Sequence, residues 1–190
     1  WVGASNDYVL LNPSDSRWSF GLATYGARQA GSYYSPPTGS SHAAIWSGTA
    51  ATLLDLHPAG YTDSTIRAMD ASGEAGDLYL EAYGSCRAAL WHGTAESAVD
   101  LHPAGAYASS AQAISNGKQG GYVQFERDGT YYPAVWSGTA ESFVNFSAPG
   151  APTDAGLIYG MDGNVQVGGA RFLDGSGGAT IWFGTPESAF

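Results

Sequence analysis

Residues 46–60 read WSGTAATLLDLHPAG and residues 91–105 read WHGTAESAVDLHPAG, two stretches 45 residues apart that agree at ten of fifteen positions. Residues 136–150, WSGTAESFVNFSAPG, form a third copy that drifts at its end. Residues 1–15, WVGASNDYVLLNPSD, fit the same template without a gap, and 182–190, WFGTPESAF, fit its first nine positions. The opening tryptophans, Trp1, Trp46, Trp91, Trp136 and Trp182, are spaced 45, 45, 45 and 46 residues. A fixed period of this size is the signature of a stacked-repeat architecture.

Upstream of each tryptophan the agreement is looser but regular. Gly31, Gly76 and Gly121 stand fifteen residues before theirs, Gly168 stands one position nearer to Trp182, and Gln29, Glu74, Gln119 and Gln166 lie two residues before the glycines. A small residue followed by a branched aliphatic precedes each indole, as in Ala43 to Ile45 and Ala88 to Leu90. The third unit runs AQAIS, NGK, QGGYVQF, ERDGTYY, PAVW and SFVNF, which reads as four short strands punctuated by glycine turns. No stretch has the length and three-four apolar spacing of a helix. The Trp-x-Gly-Thr link predicts a tight two-residue hairpin, with Gly48, Gly93, Gly138 and Gly184 where a positive φ is needed.

Units of about 45 residues with four antiparallel strands are the blade size of a β-propeller. The chain is therefore read as one all-β domain over 1–190, four four-stranded blades with repeats at 16–60, 61–105, 106–150 and 151–190. First strands are expected at Trp18 to Tyr25, Thr65 to Asp70, Ala111 to Ser115 and Gly156 to Tyr159. Second strands follow at Arg28 to Tyr34, Gly76 to Ala82, Gln119 to Phe125 and Val165 to Phe172, and the third end at the tryptophans. Indoles at a fixed point of the third strand would fill the gaps between blades. The segment Tyr8 to Asn12, within residues 1–15, is expected to supply the outer strand of the last blade and close the ring. The rival arrangement is an arc of a larger ring, or one paired with another chain.

Composition narrows the function classes. The 190 residues carry 7 Lys plus Arg against 17 Asp plus Glu, a net charge of −10, 27 glycines, and 44% hydrophobic residues. That balance argues against nucleic acid, whose binders cluster Lys and Arg to displace counterions. No apolar run is long enough to span a membrane as a helix, and the hydrophobic content is too high for a disordered chain. The single cysteine, Cys86, has no partner for an intrachain disulfide and reads as a half-buried thiol. The chain opens at Trp1 with no leader, so it is read as a processed form or an excised piece.

HAAIW at 42–46, the SGTA that follows, and the Ala-x-x-Ile and Gln-x-Gly spacing of the third unit resemble the bacterial extracellular HAF repeats. The resemblance covers nearly the whole chain, although the leading histidine occurs only at His42 and is replaced by Arg87, Tyr132 and Gly178. It implies a secreted or surface propeller-like array and brings no catalytic residues.

Candidate chemistry is sparse. His57 and His102 each follow an aspartate by two residues, Asp55 and Asp100, a pairing that could point one face at a metal; turn capping is the preferred reading because the third unit has Asn145 and Ser147 instead. Acidic, glycine-rich turns invite calcium, with Asp70, Glu74 and Asp77 the first place to look, although such turns use the same residues for backbone reasons. Glu96, Glu141 and Glu187 recur with the repeat and are read as scaffold, and no nucleophile elbow, phosphate loop or zinc-protease motif occurs. Non-recurring aromatics, Trp18, Tyr33, Tyr34, Tyr131 and Tyr132, are the better lead. Tyr33 and Tyr34 before SPPTGSS, and Tyr131 and Tyr132 after ERDGT, would sit on one rim where flat rings can stack on sugars, or else fill gaps between blades.

The expected function is a non-catalytic extracellular or cell-surface binding or assembly module without a cofactor, calcium apart. Its partners would be a glycan, another protein or further copies of the chain. The alternatives are a lectin-like propeller, a polysaccharide hydrolase or lyase, and a surface-layer or filament subunit.

Overall fold

The structure is a computed structural model that describes residues 8–81, 84–127, 129–147 and 150–190. Trp1, and the end of one expected strand at Ala82, lie outside the described residues. Fifteen strands form four antiparallel sheets in chain order. The first contains β1 (Ser19–Tyr25), β2 (Arg28–Ser35), β3 (Ser40–Trp46) and β4 (Leu54–Asp55). The second contains β5 (Asp63–Asp70), β6 (Gly73–Tyr79), β7 (Cys86–Trp91) and β8 (Val99–Asp100). The third contains β9 (Ala108–Ser115), β10 (Lys118–Gln124), β11 (Tyr131–Trp136) and β12 (Val144–Asn145), and the fourth only β13 (Thr153–Asp162), β14 (Val165–Phe172) and β15 (Gly177–Trp182).

A bulge explains the recurring glycine. In each sheet the first strand carries an extra residue opposite the second strand at an equivalent place, Leu22, Arg67, Gln112 or Tyr159, and β13 carries another at Asp154. The bulge drives the carbonyl of the first strand toward Gly31, Gly76, Gly121 and Gly168, where an added Cβ would lie 1.8 to 2.0 Å from the oxygens of Phe20, Thr65, Ser110 and Leu157. Only glycine fits there. The glutamine or glutamate two residues earlier anchors the turn beyond the tryptophan, because its side-chain oxygen accepts the N–H of Gly48, Gly93, Gly138 or Gly184 at 2.9 to 3.1 Å.

The link after each tryptophan differs from the expected two-residue hairpin. The glycines do take positive φ, 80 to 88°, but the chain then makes a short 3-10 turn at Ala50–Thr52, Ala95–Ser97, Ala140–Ser142 and Pro186–Ser188. The hydroxyl of Thr52, Ser97, Ser142 or Ser188 accepts the N–H of the residue after the indole at 2.7 to 2.8 Å. That bond, together with the donated hydroxyl proton to the Thr carbonyl, stabilises the longer turn.

Each first strand lies across the three inner strands of the sheet before it: β5 over β1, β2 and β3, β9 over β5, β6 and β7, and β13 over β9, β10 and β11. Three apolar clusters fill these seams, each drawing on two successive sheets. Trp91, Trp136 and Trp182 are fully buried in them, and Trp46 is fully buried as well. No comparable packing joins the fourth sheet to the first among the described residues. Tyr8 to Asn12 form no strand, contrary to expectation, and the position beside β15 is taken by the tail: Phe190 and Ile181 exchange backbone hydrogen bonds of 2.9 and 3.0 Å.

Candidate functional site

The seam between the first two sheets opens on one rim into a cavity of about 800 Å³ lined by Trp18, Tyr34, His57, Tyr61, Asp63 and Tyr79, among others. Trp18 and Tyr34 meet at 5.9 Å with their rings tilted, and the Arg17 guanidinium lies 5.2 Å from the Tyr34 ring centre. The cavity has aromatic walls and a polar lip from Ser40, Ser41 and Thr62. A second cavity of about 480 Å³ opens beside it, lined by Tyr33, His42, Asp55 and the Pro36, Pro37 turn, and Thr38 borders both.

A hydrogen-bonded chain separates the two. Thr38 Oγ1 lies 2.9 Å from His42 Nε2, and His42 Nδ1 lies 2.7 Å from Asp55 Oδ2. Asp55 also accepts the Tyr33 hydroxyl at 3.0 Å and the His57 N–H at 2.9 Å. Burial by itself would raise the Asp55 carboxyl, but these donors outweigh it and hold it below the usual carboxylate range. Burial and the adjacent carboxylate push the Tyr33 phenol up to about 12.

His42 and His57 stack face to face with centroids 4.0 Å apart. His57 Nε2 reaches the Tyr61 carbonyl at 3.0 Å and Nδ1 reaches Ser64 Oγ at 2.8 Å. A carbonyl can only accept, so Nε2 carries the proton; Ser64 then donates to Nδ1 while accepting the Ala43 N–H. This arrangement suits a neutral ring, and burial first and the His42 charge second keep the His57 pKa low. His102 repeats it with Ala106, Ser109 and the Ala88 N–H.

The aspartates of both Asp-x-His pairs cap the turn, as Asn145 does in the third unit: Asp55, Asp100 and Asn145 each accept the backbone N–H two residues on, at 2.8 to 2.9 Å. His42 takes the place that Arg87 has in the next sheet, where the guanidinium bonds Asp100 at 2.7 Å. The hydroxyl, imidazole and carboxylate chain thus occupies the place of the second sheet's Arg87–Asp100 ion pair.

The structure does not bring Asp70, Glu74 and Asp77 together. Asp70 accepts the Ser72 and Asn116 N–H groups at 2.7 and 2.8 Å, Glu74 holds Gly93 and faces Arg28 at 3.4 Å, and fully buried Asp77 pairs with Arg67 and accepts Ser110 Oγ at 2.6 Å. Among the described residues no group of three carboxylate, imidazole or thiol ligands converges on one point. Tyr131 and Tyr132 stand two sheets away from Tyr33 and Tyr34: Tyr131 sits edge-on to Tyr122 at 4.9 Å and Tyr132 lies 5.9 Å from Phe125. Cys86 is half-buried, its Sγ 3.4 Å from the Tyr122 hydroxyl, and burial pushes its thiol up. Of the cavity's aromatic residues the sequence singled out Trp18 and Tyr34 and missed Tyr61 and Tyr79. Trp18 stood out as the one tryptophan outside the period.

No helix among the described residues is long and apolar enough to cross a membrane. No protein family, curated protein or solved structure matches the chain.

Proposed function

We propose that the four sheets are blades of a β-propeller from an extracellular or cell-surface repeat protein, and that the chain is a non-catalytic binding module whose ligand enters the cavity between the first two sheets. The aromatic wall of Trp18, Tyr34, Tyr61 and Tyr79 around a polar lip supports this reading. Rings that expose both a flat face and a hydroxyl match the alternating apolar and polar faces of a sugar, so a carbohydrate is the ligand class favoured. Binding on a glycan array should disappear in Trp18→Ala and Tyr34→Ala and survive in Tyr131→Ala. Binding unchanged in the first two, or no glycan bound at all, would end this reading.

A hydrolytic reading draws on the Thr38, His42 and Asp55 chain, whose order matches that of acyl-transfer triads. Ester turnover by the wild-type chain that is lost in a folded Thr38→Val variant would favour it over simple binding.

A further inference from the structure

The wall of the cavity between the first two sheets departs from the repeat at two places. Tyr61 and Asp63 line it, whereas the later units have Ala106 and Ala151 in place of Tyr61, and Ala108 and Thr153 in place of Asp63. Ala108, Ala151 and Thr153 are buried, so those seams stack with small residues at these points. The stacking of sheets therefore calls for neither a phenol nor a carboxylate here.

Asp63 is the one carboxylate among the lining residues, and none of them is lysine or arginine. Its Oδ1 accepts the Ser41 N–H at 2.8 Å, which fixes the carboxylate at the polar lip. No lysine, arginine or histidine pairs with it among the described residues. The other titratable groups of the wall are neutral. His57 donates its one ring proton to the Tyr61 carbonyl, and burial raises the Tyr61 and Tyr79 phenols, the latter to about 12.

Trp18, Tyr34, Tyr61 and Tyr79 share the cavity with this carboxylate. The faces of such rings attract cations, as the Arg17 guanidinium 5.2 Å from the Tyr34 ring centre already illustrates from outside the lining. The Tyr61 ring is held in place by its hydroxyl, which donates to Asp100 at 3.2 Å. A net charge of −10 further draws a positive ligand toward the chain. We propose that the sugar taken by this cavity carries a protonated amine, a hexosamine without its acetyl group, whose ammonium donates to Asp63 while its ring stacks on the aromatic wall. An acetylated sugar offers only an amide and forgoes the charge-assisted bond. The inference rests on the carbohydrate reading and adds the class of sugar.

Isothermal titration of the 190-residue chain at about pH 6, where amines are protonated, tests it with glucosamine, N-acetylglucosamine and glucose oligomers of equal length. These differ only in the group on the second carbon. The glucosamine oligomer should bind at least about tenfold tighter than the other two, the difference between a charged and a neutral hydrogen bond. Asp63→Asn keeps an oxygen for the Ser41 N–H, and should cut the preference to within about twofold with unchanged circular dichroism. Salt at about 1 M should shrink the preference in the wild type, a readout that needs no variant. Equal or tighter binding of the acetylated or glucose oligomer, a preference that survives Asp63→Asn, or one indifferent to salt would overturn the inference. The carbohydrate reading would still stand if binding required Trp18 and Tyr34. Choline bound more tightly than the glucosamine oligomer would overturn the inference in favour of a bare cation. Silence toward all three oligomers beside binding of other glycans would sink it alone, and no glycan bound at all would end both.

Discussion

At the scale of single residues, the strongest demands come from backbone geometry. Gly121→Ala would place a methyl group 1.8 Å from the Ser110 carbonyl, which no rotamer can relieve, whereas Gly178 has nothing within 4 Å. Thermal or urea unfolding should show a loss of about 3 kcal/mol or more for Gly121→Ala and under about 1 kcal/mol for Gly178→Ala. Asp77 makes a different demand: it is wholly buried, and Arg67 and Ser110 supply its bonds. Removing the guanidinium in Arg67→Met should cost about 3 kcal/mol, the low end for an orphaned buried charge because Arg67 is itself partly solvated. Those glycines were legible in the sequence as a recurrence, but its cause was not, since a bulge on one strand dictates a residue on its neighbour.

At the scale of elements, the seams between sheets depend on the indoles and on the histidine and serine cross-links. Trp91→Ala should cost about 3–5 kcal/mol, the range for emptying a buried aromatic site. The same variant also leaves the Leu56 carbonyl without the indole donor now 3.0 Å away. The cross-links predict a pH dependence. His57 and His102 have depressed pKa values in the fold, so the unfolded chain takes up protons first. Their contribution is complete above the ordinary histidine pKa of about 6.5 and is lost as pH falls through it toward the folded values. Asp55 and Asp70, also depressed, add a second loss below the ordinary carboxylate range. Melting temperatures measured from pH 8 to 2 should fall in two steps, and His57→Asn with His102→Asn should remove the first. A melting curve that is flat between pH 7 and 5 in the wild type would contradict the neutral-ring assignment.

At the scale of the whole molecule, the four sheets stack in chain order, the first strand of each later sheet lying across the one before it. The period of the tryptophans, the glycine turns and the strand alternation were enough to establish an all-β array, its four units and nearly all strand positions. Each of these is a local requirement that every unit must meet for itself, and repetition writes it into the chain several times. The extent of the 3-10 turns was not legible, because a hydroxyl six residues beyond the tryptophan decides it through a bond that composition does not announce. Nor was the cavity. The cavity joins Trp18 to Tyr61 and Tyr79, residues that the repeat does not align and that only the packing of the first two sheets brings together. Which segment lines the edge of β15 was not legible either: residues 1–15 and 182–190 carry the same template, and only the tertiary structure decides that the tail, not Tyr8 to Asn12, bonds to Ile181, because two like segments compete for one strand edge.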